Sequence, residues 1–402
     1  MMAPQGGDAQ GATRDLGVYV HFPWCRALCP YCDFPVVIAQ REPPHAGYRD
    51  RVLVELEAQA PRFAGRTLRS IYVGGGTPSL WDPPALGDVL ARVAARFDAR
   101  LPDLEITVEA NPIDCTPDRM AAWRAIGVDR LSIGVQSYRD DELTALGRDH
   151  RVGDGPAALE RARAAGFTSL TADLILGAPG IAPPPPGQAP SSVHAAAASG
   201  VDHLSVYELT IEARTAFGRR ARAGTLPTLP EDAQVELYTA THHHLTAAGF
   251  EHYEISSYAR PGRRSRHNQL YWQGAEFLGL GVGAASFWRS PHPGDGGGGE
   301  RWTNHRAWPR YARGEAVTER TVVTAADLVT DGLWLAMRTS DGAPVSELPA
   351  AVVTWATGAG LATIDGGRLR PNLRGFLFAD QVAARIVRAR APRRSMLDPN
   401  GS

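Results

Sequence analysis

The chain contains no lysine: all 42 of its basic side chains are arginine. This absence excludes every mechanism in which a lysine amine forms a Schiff base with a carbonyl substrate. The net charge is only −1, which argues against a general nucleic-acid binder. Apolar residues make up 44% of the 402 residues and charged residues 21%, so the composition is that of a globular protein rather than a disordered one.

The sequence also lacks the usual features of secreted and membrane-spanning proteins. Residues 1–14 are polar and have no basic-then-apolar signal-peptide layout, so we expect a disordered tail there. No uninterrupted apolar run approaches the roughly 18 residues that a membrane-spanning helix needs. Of only four cysteines, three are clustered, which favours a reducing compartment over a disulfide scaffold. We therefore predict a cytoplasmic protein.

The three clustered cysteines lie in the segment HFPWCRALCPYCDF and have the spacing C-x3-C-x2-C (Cys25, Cys29 and Cys32). The usual ferredoxin spacings supply four thiolates, and a zinc site needs two paired knuckles. Three thiolates in one loop suit a [4Fe–4S] cluster that keeps one iron free for a ligand. Three unrelated thiols, or a damaged zinc knuckle, are the alternative. The fourth cysteine, Cys115, directly precedes a Thr-Pro helix start, and we expect a free thiol without a cluster role.

Short β-branched runs alternate with alanine- and arginine-rich stretches of helical period. Six such βα units in succession predict parallel strands with right-handed crossovers. A doubly wound sheet would give the same order of elements. However, the predicted strands end in unusual polar residues or glycine turns, and chemistry gathers at the strand ends of (β/α) barrels. The pattern therefore favours a barrel. The predicted strands are residues 17–22, 70–73, 104–109, 130–135, 169–175 and 203–208.

With the aromatic Tyr31 directly before its last cysteine, the cysteine motif resembles that of the radical S-adenosylmethionine (SAM) superfamily. The segments GGGTP, EANP, SIGVQS, LGRDH and HNQLYW follow in order and resemble its oxygen-independent coproporphyrinogen oxidase-like branch. The resemblance runs from about residue 17 to the C-terminal helical segment. It implies an α/β fold with a partial (β/α)6 TIM-type barrel. It also implies a [4Fe–4S] cluster on the three cysteines, with SAM chelating the free iron.

The resemblance also implies which residues form the SAM pocket. The GGGTP turn would meet the SAM amino group, because the absence of Cβ atoms lets the backbone approach a ligand, although a tight turn alone would give the same pattern. A zwitterionic sulfonium needs an arginine for its carboxylate and acidic groups for its amine and ribose hydroxyls. The predicted SAM-binding residues are Tyr19, Tyr31, Gly75, Gly76, Thr77, Glu109, Gln136, Arg148 and Asp173.

Two features separate the branches of this family. The oxidases carry a further cysteine two residues after the motif, whereas this chain has Phe34 there. The segment RHNQLYW resembles the H-N-x-x-Y-W signature of HemW-type haem chaperones. This resemblance implies that His267 is a candidate haem-iron ligand and that Tyr271 and Trp272 contact the porphyrin face. On the motif alone, a His267 that caps a turn and a Trp272 that fills the core fit equally well.

These observations predict a haem chaperone of the radical SAM family, which binds haem as cargo and passes it to an unidentified, respiratory or membrane-associated acceptor protein. The electron donor is not identifiable from the sequence. The alternatives are an oxygen-independent coproporphyrinogen III oxidase and a related radical SAM methyltransferase. The predicted divisions are the tail (1–14), the barrel (15–212), an α/β extension with the HNxxYW motif (213–316), and a small C-terminal helical domain with its tail (317–402).

Overall fold

The computed structural model describes residues 14–290, 297–315 and 317–390. The predicted disordered tail, apart from Arg14, therefore lies outside the described residues. Within these ranges, none of the helices combines the length and apolar character that crossing a bilayer requires.

The strands of the described residues are short, and most belong to one sheet. They are β1 (Asp15–Phe22), β2 (Trp24–Cys25), β3 (Val37–Ile38), β4 (Thr67–Gly75), β5 (Glu105–Ala110), β6 (Arg130–Gln136), β7 (Ser169–Leu176), β8 (His203–Glu208), β9 (Glu251–Glu254), β10 (Ser257–Ala259), β11 (Glu276–Gly281), β12 (Ala285–Arg289), β13 (Gly299–Asn304), β14 (Val317–Val323), β15 (Ala343–Pro344), β16 (Ala362–Asp365) and β17 (Arg368–Pro371).

The α-helices lie mainly between the strands of the sheet and in the C-terminal region. They are α1 (His45–Gln59), α2 (Pro83–Arg96), α3 (Pro117–Ala125), α4 (Asp140–Ala145), α5 (Asp154–Ala164), α6 (Ser191–Ala198), α7 (Ala216–Arg222), α8 (Glu231–Ala247), α9 (Arg266–Trp272), α10 (Trp308–Ala312), α11 (Ala325–Ala336), α12 (Ala350–Gly358), α13 (Leu373–Leu377) and α14 (Ala379–Arg390).

Local sequence signals explain several of the helix starts. Asp82 accepts a hydrogen bond from the Ala85 backbone N–H, and prolines occupy the first positions of α2. Thr116 caps α3 in the same way, with Pro117 at its first position. Such caps satisfy backbone donors that have no partner inside the helix, and proline there loses no hydrogen bond.

The main sheet has a parallel centre. Among the described residues, its strand order is β14-β13-β12-β11-β1-β4-β5-β6-β7-β8-β10-β9. Strands β11, β1 and β4 to β8 run parallel to their neighbours within this set. All six predicted strands are present, and the largest difference is at β4, which starts three residues earlier than expected. The predicted α/β fold class is confirmed.

The segment after the barrel continues the same sheet at both edges. The hairpin β9–β10 pairs antiparallel with β8, while β11 pairs parallel with β1 and leads into the antiparallel strands β12 to β14. The sequence did not predict that β11 adds a seventh parallel strand to the six expected ones. Its segment, EFLGLG, is short and glycine-rich, which weakens the strand pattern.

A buried carboxylate joins α1 to this added region. Glu55 accepts hydrogen bonds from the backbone N–H of Gly281 (2.9 Å), the Tyr311 hydroxyl (2.6 Å) and the Asn304 side-chain amide (2.5 Å). Burial raises the pKa of Glu55 to about 7. Because a buried acidic group is costly unless it is hydrogen-bonded, these three donors fix how α1, β11 and α10 meet.

The C-terminal region is helical, as predicted, and also contains a small antiparallel sheet with the order β15-β17-β16. Its separate core includes Leu333, Val352, Leu369 and Ile386. These strands have only two to four residues each. Strands of that length are too short to give a recognisable alternation of polar and apolar residues.

Candidate functional site

The carboxyl ends of the parallel strands surround one cavity of about 650 Å³. The cysteine loop after β1 forms one wall, and residues at the ends of β4 to β8 form the others. This position agrees with the general rule that chemistry on parallel (β/α) sheets takes place at the strand ends. The predicted residues that line the cavity are Cys25, Cys29, Tyr31, Cys32, Gly75, Gly76, Thr77, Glu109, Gln136, Arg148 and Asp173.

Backbone hydrogen bonds hold the cysteine loop over the barrel mouth. The short strands β2 and β3 pair in parallel, and the Ala39 N–H donates to the Cys25 carbonyl (2.8 Å). The Cys32 N–H donates to the Cys29 carbonyl (3.1 Å), which closes a turn between the last two cysteines. From the barrel side, the His21 Nε2 atom lies 3.0 Å from the Pro35 carbonyl oxygen. The loop is therefore anchored at both ends.

The three thiols that would ligate an iron–sulfur cluster lie in the cysteine loop. Cys25, Cys29 and Cys32 are free and half-buried around the same cavity. Among the described residues, no three cysteine, histidine or acidic side chains converge on one metal ion. A cubane cluster needs no such convergence, because each thiolate binds a different iron atom. Cys115 lies apart, fully buried, and its thiol donates to the Asn111 carbonyl (3.5 Å).

The glycine turn after β4 lies directly against the cysteine loop. A Cβ atom on Gly76 would lie 2.7 Å from the backbone of Pro23, and one on Gly75 would lie 2.4 Å from the His21 ring. Gly75 also has a φ of 113°, a conformation that side chains rarely adopt. The Thr77 N–H donates to the Trp24 carbonyl (2.8 Å). Glycine is therefore required here so that strand and cluster loop can approach closely.

Two carboxylates face the cavity from neighbouring parts of the barrel. Glu109 accepts hydrogen bonds from the Tyr72 hydroxyl (2.8 Å) and from the Gly75 N–H (3.0 Å). Asp173 accepts a hydrogen bond from the Ser132 hydroxyl (2.9 Å). Burial raises the pKa of Glu109 to about 7 and that of Asp173 to about 6. A cationic ligand between them would stabilise their charged forms.

Arg148 and Gln136 each keep a buried polar atom free. Within the described residues, Arg148 Nε and Gln136 Oε1 are buried and have no hydrogen-bond partner. Arg148 Nη1 reaches the Cys29 sulfur (3.5 Å), which places the guanidinium between the cysteine loop and the sheet. Gln136 has a φ of 62°, unusual for a residue other than glycine and typical of functional sites. One free donor and one free acceptor suit a zwitterionic ligand such as SAM.

One predicted SAM residue lies outside the cavity wall, and sequence reasoning missed others. Tyr19 stacks on Tyr72 with ring centroids 6.2 Å apart, and its hydroxyl lies 2.9 Å from His21 Nδ1. Tyr72 itself lines the cavity, as does Arg306, which donates to the Asp33 carbonyl (2.6 Å). Alternation along β4 could have identified Tyr72. No local pattern marks Arg306, which follows the cysteine loop by more than 270 residues.

The mouth of the cavity is apolar on the side of the cysteine loop. Leu28 is 56% exposed and Phe34 is 66% exposed, and both line the cavity. Phe34 follows Cys32 by two residues, the position at which the family resemblance would put a further cysteine in an oxidase. A phenylalanine cannot ligate iron, so the loop offers three thiolates and an exposed aromatic ring.

The three residues of the HNxxYW motif do not share one site. His267 is buried on α9, where its Nδ1 lies 2.8 Å from the Ser70 hydroxyl and its Nε2 lies 3.0 Å from the Tyr271 hydroxyl. Trp272, at the end of the helix, lines a second cavity of about 690 Å³ between α9 and α11. The structure therefore separates the candidate iron ligand from the tryptophan, because residues five apart on a helix project to different sides.

Comparisons with known proteins agree with this architecture. A family model described as the radical SAM superfamily matches residues 19–183. The haem chaperone HemW of Mycobacterium tuberculosis is 37% identical over 392 residues, which cover 93% of this chain and 95% of that protein. The haem chaperone HemW of Escherichia coli is 39% identical over 270 residues, which cover 67% and 69%.

The fold is also similar to that of a solved structure, the radical SAM enzyme coproporphyrinogen III oxidase (HemN) from Escherichia coli. Its TM-score is 0.74, with 23% identity over 93% of this chain and 90% of that chain. At this level of identity the likeness shows the fold alone.

The fold, the cysteine loop and the strand-end cavity define a radical SAM protein. Within that superfamily, the chain belongs to the HemW haem chaperone family. The resemblance predicted from the motifs is thus confirmed, as are a [4Fe–4S] cluster and SAM as the cofactors of this class.

Proposed function

We propose that this chain is a cytoplasmic haem chaperone, which binds haem and passes it to an acceptor protein while it carries a cluster and SAM at the strand ends. The observation that carries the proposal is the 37% identity to a HemW haem chaperone across 93% of the chain. The exposed Phe34 at the position of the oxidases' further cysteine supports a carrier rather than an oxidase.

Different residues of the strand-end cavity bind the cluster and SAM. Cys25, Cys29 and Cys32 hold the cluster, and Arg148 takes the SAM carboxylate through a charge-assisted hydrogen bond. Glu109 and Asp173 accept hydrogen bonds from the amine and hydroxyl groups of SAM. The cluster and SAM together supply one-electron chemistry when bound. The protein orients them, since both carboxylates line the cavity at the strand ends.

We place the haem contact at the second cavity, which Trp272 lines. Its volume of about 690 Å³ lies within the usual range for small-molecule sites. Leu328, Val329 and Leu333 supply apolar surface. Three arginines also line it and suit the two propionates of haem: Arg264, Arg289 and Arg368. Axial ligation by His267 stays a prediction, and in this structure it requires one of the two hydrogen bonds to the ring nitrogens to break.

Haem titration of a tryptophan variant tests this placement. Trp272→Leu keeps an apolar side chain but removes the aromatic face, so we expect haem affinity to fall by about tenfold. The matched control is Trp355→Leu, because Trp355 is also half-buried and packs on Arg385 away from the cavity. Equal haem affinity of the Trp272 variant and the wild type would refute the placement.

An anaerobic assay with coproporphyrinogen III separates the chaperone from an oxidase. We expect the reconstituted protein, supplied with SAM and a reductant, to form no protoporphyrinogen. An oxidase must place the propionates within near-attack distance of SAM, whereas a carrier need not. Sustained decarboxylation of coproporphyrinogen III would replace the chaperone proposal with the oxidase.

A further inference from the structure

His267 lies directly beneath the SAM pocket, in the floor of the barrel. It is only 2% exposed, although it belongs to a motif that the family resemblance associates with haem. Burial lowers the pKa of His267 to about 3, so the ring is neutral at physiological pH. In this position the ring lines neither the strand-end cavity nor the cavity of Trp272.

The ring is fixed on several sides. Ser70 and Tyr271 occupy its two nitrogens, at 2.8 Å and 3.0 Å. On another side it meets Gly17 of β1, where an added Cβ atom would lie 3.2 Å from His267 Cε1. The His267 backbone N–H donates to Glu105 of β5 (3.0 Å), which anchors the start of α9. These contacts leave the ring one defined orientation.

One face of the His267 ring supports Tyr72, a residue of the pocket wall. Tyr72 stacks on His267 with ring centroids 5.1 Å apart and an interplanar angle of 28°. The hydroxyl of the same Tyr72 donates to Glu109 Oε1 (2.8 Å), and the Gly75 N–H holds the other oxygen of that carboxylate. A continuous series of contacts therefore runs from α9 through Tyr72 to the carboxylate that faces the pocket.

We infer that His267 is a positioning residue of the SAM pocket, whose fixed ring holds Tyr72 so that its hydroxyl orients the Glu109 carboxylate. This inference rests on the proposed placement of SAM at the strand ends. It assigns His267 a role that needs no contact with haem. The role needs a planar ring with two hydrogen-bonding nitrogens, because the same side chain stacks on Tyr72 and is hydrogen-bonded to Ser70 and Tyr271.

A double-mutant cycle on SAM affinity tests the inference, with calorimetry on the cluster-reconstituted protein. Tyr72→Phe removes the hydrogen bond to Glu109, and we expect SAM to bind about tenfold more weakly. His267→Ala removes the support of the ring, with an expected loss of about fivefold. If His267 acts through the Tyr72 hydroxyl, the double variant should bind SAM about as weakly as Tyr72→Phe alone.

Two further variants distinguish an effect on SAM affinity from a general loss of protein stability. Ser70→Ala removes one anchor of the ring at little cost in volume, and we expect SAM to bind about threefold more weakly. His252→Ala is the matched control, since His252 is also buried and stacks on Tyr258 (4.1 Å) at the sheet edge. The control should lose thermal stability but keep the SAM affinity of the wild type.

Additive losses in the double variant would overturn the inference. So would a wild-type SAM affinity in both His267→Ala and Ser70→Ala. Haem titration of the same variants separates the two functions, because we expect the Soret band of His267→Ala to match the wild type. A shifted Soret band with unchanged SAM affinity would assign His267 to haem instead. If the wild-type protein binds no haem but the SAM affinities follow the predicted double-mutant cycle, the chaperone proposal is refuted and this inference stands.

Discussion

The affinity of the reconstituted protein for SAM should depend on pH because of Glu109. Burial raises the pKa of this carboxyl to about 7, and the neighbouring charge of Asp173 also raises it. The hydrogen bonds from Tyr72 and Gly75 oppose the shift without cancelling it. Only the ionised form attracts the cationic groups of SAM, so protons compete with the ligand below pH 7. Affinity should therefore rise with pH and level off above that value.

The size of the change in SAM affinity follows from the pKa of Glu109. With a pKa of about 7, Glu109 is about nine-tenths ionised at pH 8 but only about one-tenth ionised at pH 6, so affinity should fall about tenfold across this range. Asp173, with a pKa of about 6, adds about another twofold at the lower pH. A carboxyl with the ordinary value of 4.5 would be almost fully ionised at both pH values and would change nothing.

Calorimetric titration of SAM at pH 6, 7 and 8 measures this effect. Glu109→Gln should weaken binding at pH 8 by about ten- to a hundredfold, the value of a charge-assisted hydrogen bond, and should leave only the small pH dependence of Asp173. Glu57→Gln serves as the control, because Glu57 is exposed on α1 and pairs with Arg92. A wild-type affinity that is flat from pH 6 to 8, or a Glu109→Gln variant with the full dependence, would refute the reasoning.

Three further outcomes follow from the site and the fold. Alanine at Cys25, Cys29 or Cys32 should abolish the brown [4Fe–4S] absorbance. Cys115→Ala should retain full iron and sulfide content, and loss of the cluster in that variant would contradict the assignment of these three ligands. Arg148→Ala should weaken SAM binding by about ten- to a hundredfold in calorimetry, and an unchanged affinity would place the carboxylate elsewhere. Because folding raises the pKa of Glu55 from 4.5 to about 7, the free energy of unfolding should fall by up to about 3 kcal/mol as pH rises through this window. Urea titrations at pH 5 and pH 7 measure this change. The free energy of unfolding of Glu55→Gln should lack it, and an equal change between the two pH values in both proteins would disprove the effect.

The barrel and its cavity were predictable because each βα unit carries its own local signal. Strand periodicity, helix caps and the polar residue at each strand end act over a few residues, so Glu109, Gln136 and Asp173 could be identified in sequence order. Parallel topology then brings their side chains to one end of the sheet, where they line the same cavity.

Residues that act through long-range contacts were not predictable in this way. Arg306 reaches the cysteine loop only because β11 to β13 fold back along β1. Tyr19 was assigned to the SAM pocket, but Tyr72 stacks on it and is the tyrosine that donates a hydrogen bond to Glu109. The position of His267 beneath the pocket depends on α9 crossing the ends of β1 and β4, which no local pattern encodes.

Haem binding by the reconstituted wild-type chain tests the central claim most directly. The measurement is a titration of haem into the cluster-loaded protein, followed by Soret absorbance, with and without saturating SAM. Because the strand-end cavity and the Trp272 cavity are separate, we predict saturation at about one haem per chain in both conditions. Absorbance that rises without saturation, as for free haem, would contradict the account.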